Sequence, residues 1–314
     1  MPQRNPYTPA EKDDGQVPSL AAQLLGSLCV FASAFFFYLA TAVIRWARGE
    51  VDIDPAYFVF GRFLLGFFVI CALMAARGKG PGAKRYDLLV GRTVFNCLAV
   101  YCFFKAVALT SLAEGNILNM TYPVFLALFS WVLLRGQRDP VAAAMVVVAF
   151  AGIWLILSPS AVSLKMESLW GLGSGITASF GIICLNMSRQ YHDSETVLFY
   201  MFGLGTVLIY AMFFKHIFMP GPRELYFLLL CAGFGVGGQY LITLGFRYVT
   251  AVEGGIISST RILLAAMLGP VVAGDPPLSV AGWLGALLIF TANVVLTVRK
   301  VHAGAAEAKE RRGG

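Results

Sequence analysis

Apolar residues in this chain run in long blocks broken by short polar punctuation, with no amphipathic stripes between them. The blocks cover residues 20–46, 56–76, 88–109, 112–134, 141–158, 169–188, 195–214, 225–248, 251–273 and 279–298. Each is close to the roughly 20 residues that cross the ~30 Å hydrocarbon core of a bilayer as a helix. Backbone groups in hydrocarbon must bond within their own segment, so the blocks predict helices. The expected fold is an all-α membrane protein with ten transmembrane helices. The punctuation agrees with these limits: Asp54-Pro55, the charged stretch 77–87, and residues 135–140, 158–167, 219–222 and 274–277. Residues 1–19 are polar and carry Pro2, Pro6, Pro9 and Pro18, which is unlike a secretory signal. The first block is therefore expected to be a retained membrane helix. The polar end, 303–314, is expected to be disordered.

One stretch occurs twice. Residues 106–123, AVALTSLAEGNILNMTYP, end one apolar block, turn, and open the next; residues 245–262, GFRYVTAVEGGIISSTRI, repeat the device 139 residues later. Glu114 matches Glu253, Gly115 matches Gly254, Ile117 matches Ile256 and Thr121 matches Thr260, while Ser111 faces Thr250 and Asn119 faces Ser258. Both copies open on a Ser/Thr-x-x-Glu box, and both are followed by an Asp-Pro turn, Asp139-Pro140 and Asp275-Pro276. This predicts an internal duplication: a first five-helix repeat over 20–158, a linker over 159–168 and a second repeat over 169–298. A polar cytoplasmic segment (1–19) precedes them and a basic cytoplasmic tail (299–314) follows. Five spans per half is an odd number, so the second copy enters the membrane upside down. Inverted repeats are the signature of alternating-access carriers, with the substrate near the midplane between the halves.

Composition supports lipid as the solvent: 58% of the 314 residues are hydrophobic and 13% charged, against about 25% charged in a water-soluble domain. The net charge of +7 is spread over short connections, so nucleic acid is not the expected partner. With the N-terminus inside, fourteen basic residues fall on cytoplasmic segments and five on the opposite side, which favours both termini in the cytoplasm. All six cysteines lie within apolar blocks without metal-ligand spacing, and the three histidines lie in connections or the tail. No cofactor or metal is expected. An intramembrane enzyme would need clustered acids, histidines or metal ligands at midplane depth, and the sequence offers none.

Gly61-Arg62-Phe63 early in the second span, the 106–111 segment before the fourth, Tyr122-Pro123 within it and the Phe246-Arg247-Tyr248 echo before the ninth carry a resemblance. Together with the 5+5 duplication they resemble the drug/metabolite transporter superfamily, and within it the EamA-type ten-helix transporters, over residues 20–300. The resemblance implies a secondary transporter of the bacterial inner membrane, often an exporter of metabolites or drugs, with a central cavity lined by helices of both halves. The chain departs from the pattern at Gln137, where such proteins commonly carry Glu after the fourth helix; Asp275 holds the equivalent place after the ninth. That turn is expected at the surface, where it bears on capping more than on substrate.

Ionisable groups inside lipid are functional candidates by default. Glu114 and Glu253 are coupling candidates for protons, but each is also the first-turn N3 member of a capping box at the positive end of a helix dipole. Arg92 and Lys105 sit near opposite ends of the third span and can snorkel to an interface, as can Arg247. Arg261 differs. It lies 11 residues past Thr250, about 16 Å along a helix, too deep to snorkel easily. No carboxylate in the spans is an obvious mate, so it must face a wet cavity, a broken helix's carbonyls, or an anionic group of the substrate. Arg62 lies about 9 Å into its span and can serve folding, gating or substrate contact. Asn116, Asn119 and Pro123 share one face of the fourth span, which should point inward. Tyr122, opposite Arg261 in the repeat, is the aromatic candidate, and Ser258 a hydroxyl candidate that helix packing explains equally well. The Gly-rich run GFGVGG, 233–238, lacks the strand context of a nucleotide loop and reads as close helix packing. The expected site is therefore Arg261, Arg62, Tyr122, Asn116, Asn119 and Ser258, with no catalytic residue. The expected activity is alternating-access transport, favouring export, of a small polar, anionic or zwitterionic metabolite such as an amino acid. The alternative is a flippase or carrier of a lipid-linked or amphipathic substrate.

Overall fold

A computed structural model describes residues 20–133, 140–157, 166–188, 191–245, 248 and 251–313 of the chain. The regular elements among them are all helical: α1 (Leu20–Ala47), α2 (Pro55–Ala76), α3 (Tyr86–Leu109), α4 (Leu112–Asn119), α5 (Tyr122–Leu133), α6 (Pro140–Leu157), α7 (Leu169–Ser188), α8 (Ser194–Phe213), α9 (Pro222–Gly245), α10 (Ala251–Ala273) and α11 (Val280–Gly313), with short 3-10 turns at Met166–Ser168 and Phe214–His216. Six of the helices are long and apolar enough to cross a membrane by length and composition, and Ala143–Ile156, Ile257–Ala273 and Val280–Leu296 are shorter apolar stretches.

The starts of the helices follow from local chemistry. Asp54 accepts the Ala56 amide at 2.7 Å with Pro55 in the first turn of α2, and Asp193 accepts the Thr196 amide at 2.9 Å at the start of α8. Ser111 accepts the Glu114 amide at 3.1 Å and opens α4, the forward half of the expected capping box. The matching start of α10, Thr250, lies outside the described residues, and so does Gln137.

The fourth apolar block differs from its expectation. It is not one helix: α4 stops at Asn119, and α5 starts at Tyr122. Pro123 has no N–H to give back up the helix, and it sits in the first turn of α5, where a missing donor goes unmissed. At the break the Met120 carbonyl accepts Asn293 Nδ2 from α11 at 2.7 Å, and Thr121 Oγ1 donates to the Leu118 carbonyl at 2.6 Å. The repeat partner of Pro123 is Ile262, and α10 runs unbroken through it. A second difference lies at the C-terminus, where α11 continues to Gly313 in place of the expected disorder. Its last segment, AGAAEAKERR, is rich in residues with high helix propensity.

The helices pair across the two halves of the sequence. α3 packs along α7 as α1 packs along α9; α2 meets α8, and α6 meets α11; α4 touches both α7 and α10, while α10 also meets α1. The α6–α11 crossing is a backbone contact. A Cβ added to Gly152 would stand 2.7 Å from the Gly285 carbonyl oxygen, and one added to Gly285 would stand 2.6 Å from that of Gly152. Small residues at such a crossing let the two backbones touch, which is how helices associate where lipid supplies no hydrophobic drive.

Candidate functional site

Arg261 lies on α10 ten residues from its start, about 15 Å along the axis. It is 7% exposed. Its Nη2 donates to Asn119 Oδ1 at 2.5 Å, Asn119 Nδ2 donates to Ser174 Oγ at 3.0 Å, and that hydroxyl donates to the Gly171 carbonyl at 2.7 Å. One polar chain therefore joins α10, the end of the broken helix α4, and α7. The guanidinium also lies over two rings, Phe37 of α1 at 5.9 Å and Phe103 of α3 at 5.4 Å. Its Nε is buried without a hydrogen-bond partner. Tyr122 and Arg62 are both within electrostatic reach of it.

Arg62 enters the same region from α2, half-buried, with its guanidinium carbon 5.4 Å from the centroid of the same Phe37 ring. Its stem runs over Gly235 of α9, where a Cβ would stand 2.9 Å from Arg62 Cδ. The glycine run 233–238 thus works as a packing surface that admits a charged side chain.

The structure brings Arg261, Arg62, Asn119 and Tyr122 into one neighbourhood. Asn116 stands one turn away on α4, where its Nδ2 donates to Thr41 Oγ1 of α1 at 3.1 Å and to the Leu112 carbonyl at 2.9 Å, while its Oδ1 is buried without a partner. Ser258 is half-buried on α10, three residues before Arg261. The Glu114 carboxylate accepts Ser168 Oγ at 3.3 Å, which ties α4 to the start of the second half. The side chain of Glu253 and Arg247 as a whole lie outside what is described. Lys105 lies over Tyr101 at 5.8 Å and Trp170 at 5.6 Å near the end of α3, consistent with an interfacial position. Phe37, Phe103 and Ser174 were not singled out from the sequence. An apolar run does not reveal which ring faces inward, and one hydroxyl in a small-residue helix carries no signal.

Asp275 corrects an expectation. It is not a surface residue: it is 4% exposed. Its carboxylate pairs with Arg45 at the end of α1 and accepts the Leu112 backbone amide, the first of α4, at 2.7 Å. The ends of α1 and α4 converge there, and a carboxylate satisfies both a cation and an orphan helix amide. Trp46 Nε1 adds a bond to the Val272 carbonyl at 2.7 Å. At the opposite end of the bundle Arg77 pairs with Glu195, Lys79 reaches Glu195 at 3.3 Å, and His192 Nε2 accepts the amides of Lys84 at 2.9 Å and Arg85 at 3.2 Å. Both ends are thus tied across the two halves, with Arg261 enclosed between the ties.

Among the described residues no group of three or more His, Cys, Asp or Glu could hold a metal ion. The neighbourhood holds cations, amides and rings, which suits reversible binding of a polar molecule carrying negative charge.

Comparison with known proteins gives a consistent picture. The EamA-like transporter family matches residues 24–158 and again 165–298. The chain is 27% identical over 241 residues to the pseudopaline exporter CntI of Pseudomonas aeruginosa, covering 76% of this chain and 83% of that one. It is 24% identical over 297 residues to human solute carrier family 35 member G1, covering 88% and 80%. A solved crystal structure at 20% identity superposes with a TM-score of 0.57 over 88% of this chain and 96% of the other, a likeness of fold. The chain belongs to the EamA-like transporter family of the drug/metabolite transporter superfamily: it is an integral membrane transporter and not an enzyme.

Proposed function

We propose that this chain is a secondary active carrier that exports a small polar metabolite, anionic or zwitterionic, by alternating access. The layout proposed is ten spans in two inverted five-helix repeats, both termini in the cytoplasm, in a bacterial inner membrane. The double family match and the paired packing of α3 with α7 and α1 with α9 support the two-repeat arrangement. The named exporter among the relatives supports the direction.

One observation carries the site: Arg261, enclosed, held by a neutral amide and two aromatic faces, with its Nε unmatched. A buried cation whose partner is neutral retains most of its attraction for an incoming anion. Substrate would bind at Arg261 and Asn119, with Tyr122 and Arg62 beside it, while the Arg45–Asp275 and Arg77–Glu195 ties open in turn. Glu114 and Glu253 remain the candidates for proton coupling, the first held by Ser168. The test is a thermal-shift screen of purified protein against amino acids, nucleotides and organic acids, followed by transport of the hits in proteoliposomes. Arg261→Glu should abolish that transport while the protein stays folded. Transport by Arg261→Glu at the wild-type rate would remove Arg261 from the site.

A further inference from the structure

We infer that the Arg261 site selects substrates carrying two separate anionic groups. This rests on the carrier reading above and narrows it from a polar metabolite to a molecule with two anionic groups, such as a short dicarboxylate or a molecule with one carboxylate and one phosphate.

The inference comes from a second guanidinium. Arg62 and Arg261 come from different halves of the sequence and lie over the same ring, their guanidinium carbons 5.4 Å and 5.9 Å from the Phe37 centroid. The sum of those distances, about 11 Å, is the largest separation the two carbons can have, a range over which like charges repel when water is excluded. Neither guanidinium makes an ion pair among the described residues; Arg261 has the amide of Asn119. Two like charges are thus held together in a low-dielectric interior with no counter-charge paired to either among the described residues.

Such an arrangement is unfavourable in the empty protein, and a core selected only for stability would not retain it. One anionic group on the ligand neutralises one guanidinium and leaves the other uncompensated. Two groups neutralise both, and each guanidinium can take a carboxylate or phosphate with paired N–H donors. Phe37 lies against both cations and offers an apolar surface to the carbon segment that joins the two groups. The Gly235 position preserves this geometry, since the Arg62 stem occupies the space a Cβ would need. Asn119 fixes the Arg261 end and leaves its Nε free to donate.

The test uses purified full-length protein, with butyrate, succinate, glutarate and 3-phosphoglycerate as probes. Wild type should be stabilised by the three probes with two anionic groups at concentrations at least tenfold lower than by butyrate. Arg62→Gln should erase that difference, because succinate and butyrate then each meet a single guanidinium. In the ligand-free state Arg62→Gln should melt at a higher temperature than wild type, because one of two repelling charges is gone. A lower melting temperature would make Arg62 a structural residue and overturn the inference, as would equal responses to succinate and butyrate in wild type. Those results would leave the anion site at Arg261 intact. A wild type that responds to none of the four would instead overturn the anion site itself, and the inference with it.

Discussion

The carboxylate of Asp275 accepts the backbone amide of Leu112 at 2.7 Å, across 163 residues of sequence, while also pairing with Arg45. One acidic side chain from the second half therefore caps a helix of the first half and neutralises a cation at its edge. The carboxylate is 1% exposed, so removing it leaves a half-buried guanidinium and an orphan amide. Asp275→Ala should lower unfolding stability in detergent by about 1–3 kcal/mol, chiefly through the orphan amide. Asp275→Asn keeps an acceptor for Leu112 and should lose less. A change within the roughly 0.5 kcal/mol of an ordinary surface substitution would refute this role.

The Asn119–Arg261 bond offers a substitution whose two effects run in opposite directions. Asn119→Asp supplies the carboxylate that Arg261 lacks. The ligand-free protein should become more stable, and anion binding should weaken at least tenfold, because the new charge competes for the guanidinium. Asn119→Ala should destabilise it, leaving Arg261 and Ser174 each short of a partner. Melting temperature and binding measured together check the pair; stability and affinity rising together in Asn119→Asp would contradict it.

The break between α4 and α5 depends on α11. Asn293 is fully buried and donates to the Met120 carbonyl that the break sets free. Asn293→Leu leaves that carbonyl buried and unmatched, at a cost of about 1–3 kcal/mol. Denaturant unfolding should register this, and an unchanged midpoint would mean the break holds without α11.

These three relationships differ in how far the sequence announces them. The apolar blocks carried the helices, because length and hydropathy alone decide what spans a bilayer. Arg261 stood out because depth along a helix is legible in residue number. Its partner Asn119 was on the expected inward face, yet the bond between them is a matter of tertiary placement that no spacing encodes. The break at Met120 was half legible: Pro123 marks an interruption, but whether it kinks a helix or starts a new one depends on Asn293, 170 residues onward. Asp275 reads as a surface turn from sequence and is buried in the structure, because an Asp-Pro dipeptide looks the same whether it meets water or a helix end. Phe37 was invisible within the run FFFY, where every position is apolar.

Outside the membrane-spanning segments, Asp193 gives a pH dependence. Burial opposes its ionised form, but the bonds from Thr196 and the charge of Lys79 at 3.8 Å prevail and hold its carboxyl below the ordinary aspartate value. The folded value is the lower one, so the contribution is present above the unfolded value and is lost as pH falls through the folded one. Asp193→Ala should lower stability by about 1 kcal/mol at neutral pH through loss of the α8 cap. The gap to wild type should close as the solution is acidified through the carboxylate range. A thermal-unfolding series against pH measures this, and a gap that stays constant would contradict it.

The central claim is that the neighbourhood of Arg261, enclosed in this structure, opens by turns to each side of the membrane. Ser174 is fully buried there, bonded to Asn119, and reports on it directly. With the six native cysteines replaced, Ser174→Cys should react with a membrane-impermeant methanethiosulfonate in right-side-out vesicles and again in inside-out vesicles. Reaction from one side only, or from neither, would contradict alternating access at this site.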